Sequence, residues 1–110
     1  MVRDRTLSAI TIRAVEAGNL TDSYQNLGSA LTEPVYILML KNTTDVTVLI
    51  SEDGTNDHYE LPPGASETYD LQANRADGLA LKRCGLQFKV KINNGVTPSC
   101  GRVILQGQTL

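Results

Sequence analysis

Apolar positions in this chain come in short runs, and each run stops at a cluster of Asn, Asp, Gly or Pro. Val35-Tyr36-Ile37-Leu38-Met39-Leu40 is one such run, closed by Lys41-Asn42-Thr43-Thr44-Asp45. Val46-Thr47-Val48-Leu49-Ile50 follows and ends at Ser51-Glu52-Asp53-Gly54. Residues 58–61 alternate and stop at Pro62-Pro63-Gly64, and residues 66–71 resume an extended pattern. No stretch is long enough for a helix to propagate, so the pattern predicts strands joined by turns. The expected fold is all-β: an antiparallel β-sandwich, a jelly-roll or Ig-like meander, of about seven to eight short strands.

Within that frame, residues 35–41 and 46–51 are expected to form a hairpin through Asn42 to Asp45, whose side chains bond nearby backbone N–H groups. Pro34 sets the start of the first strand, where a missing N–H is tolerable. Both strands are apolar at nearly every position, whereas a strand covered on one face alternates. Both faces are therefore expected to be covered, one by a second sheet and the other by the N-terminal segment or a neighbouring subunit. Further along, Leu79 and Leu81 predict a short strand. Phe88, Val90 and Ile92 alternate with Gln87, Lys89 and Lys91, and a turn at Asn93-Asn94-Gly95 predicts a return strand over residues 102–106. Residues 6–16 fit a helical turn or a strand, with Thr11 and Ile12 favouring strand. Residues 21–32 read as a loop that crosses the structure. There is no internal repeat or linker, so residues 1–110 form a single β-sandwich domain, with residues 1–6 as a candidate extended N-terminal arm.

Composition changes this picture little. With no Trp, one Phe and four Tyr, the core must be built from Val, Ile and Leu. A formal net charge of −2 gives no electrostatic footprint for nucleic acid. No apolar run approaches the roughly 20 residues that span a bilayer. The first residues lack the apolar segment of a secretory signal, so the chain is expected to be synthesised in a cytoplasm and to stay soluble. Cys84 and Cys100 are too few for a disulfide framework and fit no zinc spacing. A hairpin at Asn94 would place Cys100 opposite residues 88–91, away from Cys84. Free thiols are the favoured reading, with an intrachain or intersubunit bridge as alternatives.

Candidate chemistry is sparse. His58 is the only histidine, and a catalytic set would need Ser51 or Ser66 to converge on it. No catalytic residue, cofactor or metal ligand is expected. Asp53-Gly54-Thr55-Asn56-Asp57 fails the calcium-loop pattern, because its Gly arrives early and the final Glu is absent. A turn that shapes the loop tip is favoured over an ion site completed by other loops. Lys82, Arg83, Lys89 and Lys91 lack interleaved aromatics, so they read as a solvated strand face or a subunit rim rather than a nucleic-acid platform. The loop Glu52, Asp53, Gly54, Thr55, Asn56 and Asp57, together with the arm at residues 1–6, is the candidate intersubunit contact.

The order of motifs carries a resemblance. Tyr24-Gln25-Asn26-Leu27-Gly28 leads to Leu31-Thr32-Glu33-Pro34, then to Asn42-Thr43-Thr44-Asp45, Ser51-Glu52-Asp53-Gly54 and Asp57-His58. Leu61-Pro62-Pro63-Gly64 precedes Asp70-Leu71, and Gly101-Arg102-Val103 comes near the end. This order resembles small β-sandwich virion structural proteins of tailed bacteriophages, over most of the chain from Tyr24 onward. Glu52 stands where that pattern carries an aromatic residue. The resemblance implies a non-enzymatic building block located in the virion and used in many symmetric copies. Its partners would be further copies of itself and other virion proteins such as portal, tail or capsid proteins. A ring-forming head–tail connector, neck or tail component is the first expectation, and a capsid decoration (cement) protein the second. A carbohydrate-binding host-attachment module is a further alternative, and it would need exposed tyrosines.

Overall fold

A computed structural model of the chain describes residues 8–70, 82, 84–93 and 97–109. These residues carry nine strands: β1 (Ser8–Ala9), β2 (Arg13–Glu16), β3 (Gln25–Asn26), β4 (Ile37–Asn42), β5 (Val48–Ser51), β6 (Tyr59–Leu61), β7 (Ser66–Asp70), β8 (Lys89–Ile92) and β9 (Arg102–Thr109). Two antiparallel sheets result, an all-β sandwich as expected. Sheet A runs β1-β9-β4-β7, with β2 beside β1 on the same edge of β9, and sheet B runs β3-β8-β5-β6.

Period-2 alternation builds the core. Leu38, Leu40, Val103 and Leu105 of sheet A meet Val48, Ile50, Val90 and Ile92 of sheet B, each at most 2 % exposed. Phe88 and Leu61 complete the same cluster. Burying each of these side chains stabilises the fold by roughly 1.5–3 kcal/mol. The crossing loop expected over residues 21–32 is anchored by buried Leu27 and Leu31, with buried Leu20 just before it, and it holds β3 within it.

Two expected hairpins are corrected. β4 pairs with β7 and β9, whereas β5 pairs with β6 and β8, so the chain changes sheet between them. Likewise β8 lies in sheet B and β9 in sheet A. The register argument that separated Cys84 from Cys100 rested on that second hairpin and falls with it; both cysteines are exposed and free. The strands expected over residues 35–41 and 46–51 form at Ile37–Asn42 and Val48–Ser51, but the Asn-Thr-Thr-Asp connection bends out of the sheet plane. Asn42 explains why. It is fully buried, and its side-chain N–H groups donate to the carbonyls of Val46 (2.8 Å), Leu61 (2.9 Å) and Pro62 (3.2 Å). Its Oδ1 accepts from the Thr44 N–H (2.9 Å) and hydroxyl (2.6 Å). The predicted Asx turn therefore exists, and it turns a corner instead of closing a hairpin.

Four sheet-to-sheet crossings gather at that corner. The Pro62-Pro63-Gly64 turn, from β6 to β7, is tied there by the Asn42 N–H donating to the Ala65 carbonyl (2.8 Å). The β8–β9 crossing is held by Asp45, whose carboxylate accepts from the Ser99 hydroxyl (2.6 Å), and by Thr43, whose N–H and hydroxyl both donate to the Arg102 carbonyl (3.0 Å each). The β2–β3 crossing joins through the Ala17 N–H to the Gly101 carbonyl (3.0 Å). Gly101 has φ of +86°, and a Cβ there would sit 2.1 Å from the Thr43 carbonyl oxygen. Only glycine fits that approach.

The expected double coverage of the central strands divides. On β5, Leu49 points away from the core yet is only 9 % exposed, between its cross-strand neighbours Glu60 and Lys91. On β4, Ile37 and Met39 are half-buried and Lys41 is exposed. The outer face of sheet A is thus open among the described residues. The arm at residues 1–6, the strand at Leu79 and Leu81, Arg83 and the turn at Asn94-Gly95 lie outside the described residues.

Candidate functional site

The loop from Glu52 to Asp57 joins β5 to β6 at the end of the sandwich opposite the Asn42 corner. Asp53 organises it. Its Oδ1 accepts from the N–H groups of Thr55 (2.8 Å) and Asn56 (2.9 Å) and from the Ser51 hydroxyl (2.9 Å). Its Oδ2 accepts from the Asn56 side chain (2.9 Å). These bonds, led by the Asn56 and Thr55 backbone N–H groups, hold the Asp53 carboxyl well below the usual range. The Ser51 hydroxyl, fully buried, also accepts from the Asp53 and Gly54 N–H groups. The loop is shaped by its own side chains, in line with the tip-shaping reading.

Its two ends are fastened to sheet B. Glu52 forms an ion pair with Lys82 (2.8 Å) and accepts from the Tyr59 hydroxyl. Burial pushes the Glu52 carboxyl up, but the hydrogen bonds from Lys82 and Tyr59 and the nearby Lys82 and His58 outweigh it and hold the group below its ordinary value. The carboxylate at this position thus has partners that an aromatic side chain would lack. At the other end, Asp57 accepts from the Tyr24 hydroxyl and lies 3.7 Å from the Lys91 ammonium, which sits 4.6 Å over the Tyr24 ring. His58 Nδ1 accepts from the Glu52 N–H (2.9 Å).

The same geometry accounts for the basic residues. Lys82 is paired with Glu52, Lys91 lies between Asp57 and Tyr24, and Lys89 donates to the Asn26 side chain (2.8 Å). Each described lysine of this cluster is engaged by a nearby side chain, which leaves no continuous cationic track among the described residues. The tyrosines are engaged too. Tyr36 is buried, Tyr59 packs on Tyr69 at 5.4 Å between ring centroids, and Lys91 covers a face of Tyr24. Among the described residues, no group of three or more His, Cys, Asp or Glu side chains could hold a metal ion, and no helix is long and apolar enough to cross a membrane.

The most distinctive surface lies elsewhere, on the outer face of sheet A. An open groove of about 350 Å³ is bordered by Ala9, Ile12, Ile37, Met39, Gln106 and Gln108. Ile12 is 50 % exposed, the one large apolar side chain so placed among the described residues. The apolar composition of residues 35–40 signals this face, because Ile37 and Met39 are the half of that run the core does not take. Ile12 was not legible as part of it.

Arg13 was also missed. It is 7 % exposed and donates to the carbonyls of Ser29 (3.0 Å), Ala30 (3.2 Å) and Thr11. It anchors the crossing segment without a carboxylate partner within ion-pair distance among the described residues. A lone arginine between apolar neighbours gives no signal that it turns inward. No family model, curated protein or solved structure matches the chain.

Proposed function

We propose that this chain is a non-enzymatic structural protein of a tailed-bacteriophage virion, assembled as a homo-oligomer in the head–tail connector, neck or tail. The observation that carries this reading is the outer face of sheet A, where Ile12, Ile37 and Met39 lie together. An exposed apolar surface of that kind marks a protein contact. The motif order from Tyr24 to Val103 supplies the particle, and symmetric closure is the usual way such a surface is satisfied. Against the carbohydrate-binding alternative stands the engagement of Tyr24, Tyr36 and Tyr59, which leaves no free aromatic platform for a sugar ring.

Purified particles provide the test. Mass spectrometry of virions and labelling with antibody against this chain should place it at the neck or tail. Six or twelve copies by native mass spectrometry support a connector, whereas three copies and labelling over the head surface support the decoration alternative. If the chain is missing from purified particles, the virion reading fails.

A further inference from the structure

We propose that His58 is a proton-operated latch at the base of the 52–57 loop. Neutral, its ring holds the Glu52 backbone N–H; protonated, it gives up that N–H and pairs with the Glu52 carboxylate. The latch works within one subunit and is independent of where that subunit is used.

The polarity of one hydrogen bond makes the ring a switch. Glu52 follows the last residue of β5, and its N–H donates to His58 Nδ1 at 2.9 Å. A backbone N–H can only donate, so Nδ1 must keep its lone pair and the ring proton sits on Nε2. A proton arriving from solvent takes that lone pair, and two N–H groups then point at each other. Turning the ring over offers no escape, because it sets Cδ2–H against the same donor. His58 is exposed, so the proton reaches it without any opening of the fold. Imidazoles ordinarily titrate between about pH 5 and 8, well above ordinary carboxylates.

The charges around the ring decide where the imidazolium turns. Its own strand contributes Glu60 and Tyr59, whose ring centroid lies 6.5 Å away. The loop contributes Glu52, Asp53 and Asp57. Lys82, Lys89 and Lys91 are held by Glu52, Asn26 and Asp57. Asp53 is taken up by the N–H groups of Thr55 and Asn56. Asp57, with its side chain 50 % exposed, and Glu60, also exposed, stand in water, where an ion pair is screened. The Glu52 side chain is only 24 % exposed, and a positive His58 lowers its carboxyl. Lys82 and Tyr59 both bond Glu52 Oε2, which leaves Oε1 without a donor among the described residues. Backbone acceptor and carboxylate partner are thus offered by one residue.

The rearrangement is confined to the Glu52 end of the loop. The His58 N–H still donates to the Ile50 carbonyl (3.0 Å), and the Asp53 bonds that shape the tip do not involve the ring. One hydrogen bond is lost and one partly exposed ion pair is gained, both modest terms of opposite sign. The exchange therefore moves the loop base and leaves global unfolding nearly unchanged.

Nuclear magnetic resonance of the chain between about pH 5 and 8 tests this, following the His58 ring, the Glu52 amide and the side-chain carboxyl carbons. At the alkaline end the ring should be the Nε2–H tautomer. As pH falls, the Glu52 amide proton should move upfield. Its protection against exchange, corrected for the intrinsic effect of pH, should fall by about fivefold, the equivalent of one hydrogen bond. The Glu52 carboxyl carbon should shift with the same midpoint as the ring. Both steps should vanish in His58→Gln, a change at an exposed position whose folding circular dichroism verifies. Four outcomes overturn the proposal: an Nδ1–H tautomer at the alkaline end, a Glu52 amide that does not follow the ring, steps that persist in His58→Gln, or a carboxyl step at Asp57 or Glu60 in place of Glu52. Each is read on the isolated chain and leaves the virion reading untouched.

Discussion

The side-chain amide of Asn42 donates to the Leu61 carbonyl at 2.9 Å, and so ties the last residue of a strand in one sheet to the last residue of a strand in the other. The same side chain also satisfies Val46, Pro62 and Thr44. Replacing it with Ala leaves several buried polar groups without partners, each worth about 1–3 kcal/mol. Asn42→Ala should therefore lower unfolding stability by about 2–4 kcal/mol. Urea denaturation measures this, and a loss below about 1 kcal/mol would mean that the corner is held by something else.

Gly101 and Gly64 separate strain from collision. Both have positive φ, +86° and +76°, but a Cβ on Gly64 meets nothing within 4 Å, whereas one on Gly101 runs into the Thr43 backbone. Gly64→Ala should cost about 1 kcal/mol, the conformational penalty alone. Gly101→Ala should cost at least about 3 kcal/mol, because two backbone segments must part. Equal thermal shifts in the two variants would contradict the close approach.

Acid should loosen the 52–57 loop. The Asp53 carboxyl sits below its ordinary value through the N–H groups of Asn56 and Thr55. The Glu52 carboxyl sits below its own because Lys82 and Tyr59 outweigh burial. A folded-state value lower than the unfolded one contributes stability that is present above the unfolded value, about pH 4 for these groups, and is lost as pH falls through the folded one. The urea midpoint should decline from about pH 4 downward, and less steeply in Asp53→Asn. A midpoint that is flat down to the acid transition would refute the linkage.

At the alkaline side the sign reverses. Burial, and then the hydrogen bond to Glu52, raises the Tyr59 hydroxyl; burial, and then Asp57, raises that of Tyr24. An acid raised on folding stabilises fully below its unfolded value, about pH 10, and that contribution disappears as pH climbs through the folded one. Ultraviolet titration should show phenolate appearing later in the folded chain than in urea. Glu52→Gln should bring part of that absorbance to lower pH, and an unchanged titration would remove Glu52 as a cause.

How much of this was legible in the chain follows from what each pattern encodes. Alternation at Phe88, Val90 and Ile92 fixes which residues face inward, and it placed those side chains correctly. It says nothing about which strand lies alongside, because Asn42-Thr43-Thr44-Asp45 suits a hairpin turn and a corner equally. The choice was made by the Leu61 and Pro62 carbonyls, some twenty residues away in sequence. Glu52 and Asp57 looked available for a partner because their charges are visible in the sequence, whereas Lys82 and Tyr24, which engage them, are brought in by the fold. Ile12 failed for a subtler reason: a one-residue bulge reverses every inward and outward assignment beyond it. The apolar, non-alternating run at residues 35–40 did signal that the outer side of β4 carries apolar side chains, which are Ile37 and Met39.

β9 pairs with β1, β2 and β4, so it forms the middle of sheet A. Among the described strands it comes last in chain order. Ribosome-bound chains that lack residues 102–109 consequently hold β1, β2 and β4 with no common neighbour, and their apolar sides stay open to chaperones and proteases. Sheet A closes only when those residues join it, so its folding depends on contacts between segments far apart in sequence, the kind that form slowly and leave apolar strand faces exposed meanwhile.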